Sequence, residues 1–104
     1  MKHAHSQGNL RRDMETLCGI MNEKFSINAL EESNRSENAA ARAMICAVLA
    51  EHGYPKARIG VTLGWTYETV RYYSRVVMPR IIRNKEYFYN IWTHFRSLAK
   101  EALS

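Results

Sequence analysis

Apolar residues recur along the chain at intervals of three and four, which is the period of an amphipathic α-helix. No stretch shows the strict alternation of apolar and polar residues that marks a half-buried strand, and hairpin turns of the Asn-Gly type are missing from the sequence. The pattern therefore predicts an all-α protein, a bundle of five or six helices. It forms one domain over 9–104, without repeats or low-complexity tracts.

The first quarter of the chain predicts a long helix followed by a short one. Residues 1–8 are polar and are expected to be a disordered lead. The first helix is predicted over about 9–25, where the apolar positions begin to recur. Ser26 is the expected N-cap of a second, short helix over 27–32, because its hydroxyl can accept from a free backbone N–H of the first turn.

The middle of the chain predicts a long third helix and a short fourth one. Ser36 is the expected N-cap of the third helix, which runs to about residue 51. Gly53 follows it in the position where a left-handed residue ends a helix. Pro55 suits the first turn of the fourth helix, over 55–63, because its missing N–H would have no partner there in any case.

Two more helices complete the predicted bundle. Gly64 closes the fourth helix, and Thr66 is the expected N-cap of a fifth helix that runs to about residue 78. Pro79 is expected either to end this helix or to kink it, since the residues after it still have a helical pattern. A last helix follows Asn84 and carries an apolar face at helical spacing.

Residues 55–78 have the organisation of a helix-turn-helix, in which a tight turn that contains glycine joins two short helices. Gly60 falls where the two helices would cross, so a side chain there would hold them apart. The small core between them is expected to contain Ile59, Leu63, Val70 and Val77. In such a unit the second helix lies in the DNA major groove, with its first residues at the base edges.

Positive charge is concentrated in the same part of the chain. The whole sequence has a net charge of +5, from 15 basic and 10 acidic residues. Residues 54–85 hold seven basic residues against one acidic residue, Glu68, and so carry a net charge of +6. A basic block favours a polyanionic partner, with nucleic acid first and an anionic membrane second. The alternative is an ordinary solvated face with a basic bias.

Helix periodicity separates the residues of the predicted fifth helix into two faces. The inward face holds Val70, Tyr73, Ser74 and Val77. The outward face holds Glu68, Arg71, Tyr72 and Arg75. The two arginines suit phosphate contacts, and Tyr67, Glu68 and Thr69 suit contacts to base edges. Lys56 and Arg58 are expected to add phosphate contacts. The alternative is a solvated face on which two tyrosines cover neighbouring core.

No motif for catalysis or cofactor binding accompanies this face. The sequence lacks the glycine-rich phosphate loops as well as CxxC and HExxH, and Asp13 is its only aspartate. We therefore expect no enzymatic activity, no metal and no cofactor. Cys18 and Cys46 lie in apolar helical runs and are interpreted as reduced, packed thiols. No window is apolar enough for a transmembrane helix, so we expect a cytoplasmic, nucleoid-associated protein with no membrane partner.

Four short motifs give the chain a likeness to a known family. They are Met-Asn-Glu-Lys-Phe-Ser-Ile with Ala-Leu over 21–30, Ala41-Arg42, Ile-Gly-Val-Thr-Leu-Gly over 59–64, and Glu-Thr-Val over 68–70. Together they resemble the C-terminal DNA-binding domain of the bacterial replication initiator DnaA, a Trp-repressor-like helix-turn-helix, over nearly the whole chain after residue 9. The resemblance implies a six-helix bundle that binds double-stranded DNA. By position it places Arg35 in the minor groove and Arg42 at a phosphate.

The chain departs from this family where the family reads bases. The family has Arg-Asp-His and a hydroxyl residue before Thr-Val, whereas this chain has Trp65-Thr66-Tyr67-Glu68. Glu68 can accept from a cytosine amino group or repel a phosphate. The family's DNA sequence is therefore not expected to transfer. Since the initiator's ATPase part is absent, we expect a regulator of replication or transcription, of a kind typical of phages and mobile elements.

The same departures allow a second interpretation of the chain. It would keep the fold, lack specific DNA reading, and bind a replication or regulatory protein through Tyr67, Tyr72 and the aromatic cluster over 87–89. Even as a DNA-binding protein, a single domain would bind modestly, so a homodimer or a partner protein is also expected. Trp65 is expected to be a plug over the helix crossing or a ring stacked near the DNA backbone.

Overall fold

All the regular structure in the described part of the chain is helical. The computed structural model describes residues 7–31, 36–84 and 87–103. The helices are α1 (Gln7–Phe25), α2 (Ser36–Glu51), α3 (Lys56–Leu63), α4, and α5 (Tyr87–Leu103). Helix α4 is continuous over 67–84 and consists of an α-helical part, Tyr67–Tyr72, a π-helical turn, Tyr73–Val77, and a second α-helical part, Met78–Asn84. The prediction of an all-α bundle with five helices is therefore confirmed.

Helix α1 differs from its predicted bounds at its start, and the segment after it differs from the prediction as well. It begins at Gln7, so residues 7 and 8 of the predicted disordered lead are helical. It ends at Phe25, as predicted, and is followed by Ser26, whose φ of 59° is left-handed and whose N–H donates to the Asn22 carbonyl at 3.0 Å. An N-cap needs an extended backbone, whereas this geometry closes the preceding helix. The predicted short helix is therefore wrong for residues 27–31, which form a loop.

The junction between α2 and α3 agrees with the prediction. Gly53 follows α2 with a φ of 106°, and Pro55 directly precedes α3 with a φ of −66°. Between them, the buried Tyr54 donates its hydroxyl to Asp13 Oδ2 of α1 at 2.7 Å. Burial and the Asp13 carboxylate raise the pKa of Tyr54 to about 12. The hydrogen bond fixes the start of the helix-turn-helix to the rest of the bundle.

Helix α4 passes through Pro79 and ends six residues later than predicted. Proline cannot donate to the carbonyl four residues before it, and its ring crowds that carbonyl. The π-helical turn directly before Pro79 relieves the conflict, because the Met78 N–H donates to the Tyr73 carbonyl, five residues back. The helix then continues to Asn84. Of the two predicted outcomes, an end at Pro79 is wrong.

One apolar core joins all five helices. Its largest fully buried side chains are Leu10, Leu17, Met21, Met44, Ile45, Cys46, Leu49, Ile59, Val70 and Phe95. Both cysteines are free, and burial raises the pKa of Cys18 to about 11 and that of Cys46 to about 12. Thiols in this state are protonated and unreactive at neutral pH. Among the described helices, none is long and apolar enough to cross a membrane.

Candidate nucleic-acid interface

The turn between α3 and α4 is fixed by backbone hydrogen bonds and by a close approach. Gly64 has a φ of 76°, and its N–H donates to the Val61 carbonyl at 3.2 Å. The Trp65 N–H donates to the Gly60 carbonyl at 2.8 Å, which completes a Schellman motif. A Cβ on Gly60 would lie 2.9 Å from the Trp65 carbonyl oxygen. The predicted close approach at Gly60 is therefore present, although its neighbour is the backbone of the turn.

Thr66 caps α4 as the sequence predicts. Its backbone is extended, and its Oγ1 accepts from the Thr69 N–H at 3.1 Å. The hydroxyls of Thr66 and Thr69 also lie 3.0 Å apart, within hydrogen-bonding distance. Tyr67 and Glu68 are exposed beside this pair and present a hydroxyl and a carboxylate whose positions the cap does not fix.

The exposed face of α4 is the one that helix periodicity predicts. Tyr67 and Tyr72 are each 50% exposed, Arg75 is exposed, and Arg71 is partly exposed. The predicted inward residues Val70 and Tyr73 are buried, while Ser74 and Val77 are half-buried. Arg71 NH1 lies 3.9 Å from Glu68 Oε1, and both side chains are open to solvent. Exposed pairs of this kind contribute at most about 1 kcal/mol, so a phosphate can compete for this arginine.

Arg42 holds three elements together rather than facing solvent as an unattached cation. Its Nε donates to the Ala29 carbonyl at 2.9 Å, and its NH2 donates to the Glu31 carbonyl. Its NH1 lies 3.4 Å from the Tyr73 hydroxyl. These contacts tie the loop after α1 to α2 and α4. The phosphate contact that the resemblance implies for Arg42 stays a prediction. In the structure, this guanidinium already donates to two backbone carbonyls of the protein itself.

Trp65 packs under the turn. Its half-buried ring meets Tyr73 edge-on, with the centroids 5.6 Å apart, and the Arg42 guanidinium carbon lies 6.0 Å from the ring centroid. The ring thus packs against α4 through Tyr73, which agrees better with the predicted plug between the helices than with a ring that faces the DNA backbone.

The remaining predicted contact residues lie on and around α3. Arg58 is exposed and Lys56 is partly exposed, both in the first turn of α3. They therefore belong to the first helix of the helix-turn-helix. Arg35, the predicted minor-groove contact, lies outside the described residues. The structure thus brings the predicted residues from Lys56 to Arg75 onto one helix-turn-helix, and joins Arg42 to it through Tyr73.

The sequence analysis missed a hollow beside this face. It has a volume of about 430 Å³ and lies between the start of α2, the second half of α4 and the start of α5. Tyr72 and Arg80 line it from α4, and Tyr87 lines it from α5. Tyr72 and Arg80 share a face because of the π-helical turn between them. On a regular α-helix, residues eight apart lie about 80° from each other, at the edge of one face, and the sequence does not show that three helices meet here, so no simple signal was available.

Comparisons with protein families, with curated protein sequences and with solved structures each found no match to this chain. The likeness to the replication-initiator domain therefore depends on the sequence motifs alone and stays a prediction. The all-α fold and the geometry of the turn do not depend on this likeness, because they are properties of the described residues themselves.

Proposed function

We propose that this chain binds double-stranded DNA through the helix-turn-helix formed by α3 and α4. The observation that carries the proposal is the outward face of α4, which is basic and aromatic and begins directly after a turn fixed by Gly60 and Gly64. A helix presented in this way can enter the major groove with its first turns. The net charge of +6 over 54–85 supplies the attraction to phosphates.

Phosphate contacts come from the arginines of α4 and the basic residues of α3. Arg71 and Arg75 are one helical turn apart on the exposed face, a spacing that lets both reach the backbone beside the groove. Lys56 and Arg58 extend the same contact from α3. Arg35 would add a minor-groove contact, which the resemblance alone supports.

Base contacts come from the first turn of α4. Tyr67 and Glu68 present a hydroxyl and a carboxylate, and Glu68 suits the amino group of a cytosine. Thr69 shares its hydroxyl with Thr66, so the group it offers to DNA is its methyl, which suits a thymine methyl. Glu68 also repels phosphates, which disfavours binding in a wrong register. We therefore propose sequence-dependent binding, in a regulator of replication or transcription.

The test is a fluorescence-anisotropy titration of random-sequence duplex DNA at two salt concentrations. We expect binding that weakens with salt, with a slope of about −0.9 in log K per neutralised phosphate. The variant Arg71→Ala/Arg75→Ala should lose most of this binding. Arg11→Ala/Lys100→Ala, which removes the same charge from exposed positions on α1 and α5, should keep most of it.

Two results would contradict the proposal. One is no binding at low salt by a protein that remains helical by circular dichroism. The other is an equal loss in the two double variants, because this would show a response to net charge rather than to the helix-turn-helix. If neither result is found, the next step is to select the sequences that the protein binds from a random pool of duplexes.

A protein-interaction module is the second candidate function. It is favoured by four exposed apolar or aromatic side chains, Tyr67, Tyr72, Ile82 and Tyr87, which are 45% to 59% exposed. Exposed side chains of this size are typical of protein contacts. The two candidates differ in their response to salt, because apolar contacts do not weaken as salt rises whereas phosphate contacts do.

A further inference from the structure

The exposed face of α4 continues into the hollow beside it. The polar residues that line the hollow are Ser36, Tyr72, Arg80, Asn84, Tyr87 and Tyr89. A second, shallower hollow contains Glu68 and Thr69 and shares Ala39 and Tyr72 with the first. The two form one surface that runs from the proposed base-reading turn along α4 to the start of α5.

The polar part of the lining has the chemistry of an anion site, and the rest of the lining is apolar, from Ala39, Ala40, Val77, Ile81 and Phe88. Among the described residues that line the hollow, Arg80 is the only charged one and none carries a carboxylate. The hydroxyls of Ser36, Tyr72 and Tyr87 and the amide of Asn84 can all donate hydrogen bonds. Ser36 is also the first residue of α2, a helix of 16 residues whose N-terminal N–H groups carry partial positive charge. Glu37 in the same turn opposes this field but does not line the hollow.

The π-helical turn is what brings Arg80 to this side of α4. In a regular α-helix, eight residues after Tyr72 would place Arg80 about 80° away around the axis. The π-helical turn absorbs one residue, so eight residues act as about seven, which in ideal geometry places Arg80 about 20° from Tyr72. Both residues line the hollow. Met78 and Ile81 are accordingly buried, whereas Arg80 and Tyr72 are exposed.

We propose that this hollow receives the sugar-phosphate backbone of the same duplex, beside the groove that α4 enters, with Arg80 bound to a phosphate. This inference rests on the proposed DNA binding and extends it from the helix-turn-helix to the starts of α2 and α5. The charge of the lining favours this occupant, because an arginine surrounded by hydrogen-bond donors suits a phosphate. A basic partner would instead need a carboxylate, and the described lining has none. The tyrosine rings at Tyr72 and Tyr87 would cover the adjoining sugar.

The test compares Arg80→Gln, Arg80→Lys and Arg11→Gln in the same DNA titration. Arg80→Gln should weaken binding about five- to tenfold and reduce the salt slope by about 1, which corresponds to one phosphate contact. Arg80→Lys should keep the slope, because it keeps the charge, while it weakens binding through the loss of the two-pronged contact. Arg11→Gln, which removes the same charge from α1, should change the slope by much less.

The outcomes separate this inference from the proposed function. If wild-type protein binds DNA and Arg71→Ala/Arg75→Ala abolishes binding while Arg80→Gln matches Arg11→Gln, the inference is wrong and the proposed function stands. If wild-type protein does not bind, both are wrong. Self-association lost in Arg80→Gln, measured by analytical ultracentrifugation, would show that a second copy occupies the hollow and would also overturn the inference.

Discussion

Helices α4 and α5 contain similar residues in opposite arrangements. Helix α5 turns its largest side chains inward, with Trp92 and Phe95 buried. Its Arg96 forms a two-pronged ion pair with Glu51 of α2, with nitrogen–oxygen distances of 3.1 and 3.0 Å. Helix α4 instead keeps two tyrosines half-exposed on its outer face. Helix α5 therefore places its largest aromatic side chains in the core, whereas α4 leaves two of its own at the surface.

The arginines show this difference most clearly. Arg96 reaches across to another helix and also lies over the Trp92 ring, with its guanidinium carbon 5.8 Å from the ring centroid. Arg71 of α4 has one distant partner on its own helix, Glu68 at 3.9 Å, and Arg75 forms no ion pair with any described residue. Charges that the fold does not use remain available for binding, which is why we assign the DNA contact to α4.

The largest expected loss of stability comes from a substitution in α5. Phe95→Ala removes a fully buried ring and should lower the free energy of unfolding by about 3–5 kcal/mol. Urea denaturation followed by circular dichroism measures this loss. Thr93→Ala, at an exposed position on the same helix, should change stability by less than about 0.5 kcal/mol. Equal stability of the two variants would contradict the assignment of α5 to the core.

The orientation of α4 gives the second prediction. In Gly60→Ala the new Cβ would lie 2.9 Å from the Trp65 carbonyl, so the turn must move. We expect a loss of about 1–3 kcal/mol in stability and weaker DNA binding by the protein that remains folded. Gly19→Ala in α1 is the matched control, since nothing lies within 4 Å of its Cβ, and it should gain about 0.5–1 kcal/mol. A stabilised Gly60→Ala variant would show that the turn is not tightly packed.

The smallest expected effect on stability comes from a comparison of one arginine on each helix. Arg96→Ala should cost about 1 kcal/mol of stability through loss of its ion pair and its contact with Trp92, and should leave DNA affinity nearly unchanged. Arg71→Ala should do the reverse, with a stability change below about 0.5 kcal/mol and about tenfold weaker DNA binding. Thermal denaturation and DNA titration of both variants give the result. If both variants lose stability and DNA affinity to the same extent, Arg96 and Arg71 do not differ in role.

Sequence patterns predicted the helices well where single residues determine the backbone. Gly53, Gly64 and Thr66 each have the conformation expected of them, because a left-handed glycine or a capping threonine acts through its immediate neighbours. The prediction for Ser26 was wrong, and at Pro79 the sequence left open whether the helix ends or continues. A left-handed serine is uncommon, and the π-helical turn that accompanies the continuation of the helix through Pro79 has no simple sequence signal.

The candidate interface was predictable to a similar degree. Helix periodicity alone indicates which residues of α4 face outward, and the structure agrees. The contacts of Arg42 were not predictable, because Tyr73 lies 31 residues further along the chain. The hollow at Arg80 was missed for the same kind of reason, since it depends on the rotation that the π-helical turn introduces and on the packing of three helices.

The contacts of Arg42 have a consequence for the thermodynamics of binding. One guanidinium joins the loop after α1 to Tyr73 on α4, so these elements hold each other in place before any DNA arrives. Such preorganisation means that little of the association free energy is lost in ordering the surface. We therefore expect the backbone of α4 to occupy nearly the same position in the free and the DNA-bound protein, with changes limited to side-chain rotamers.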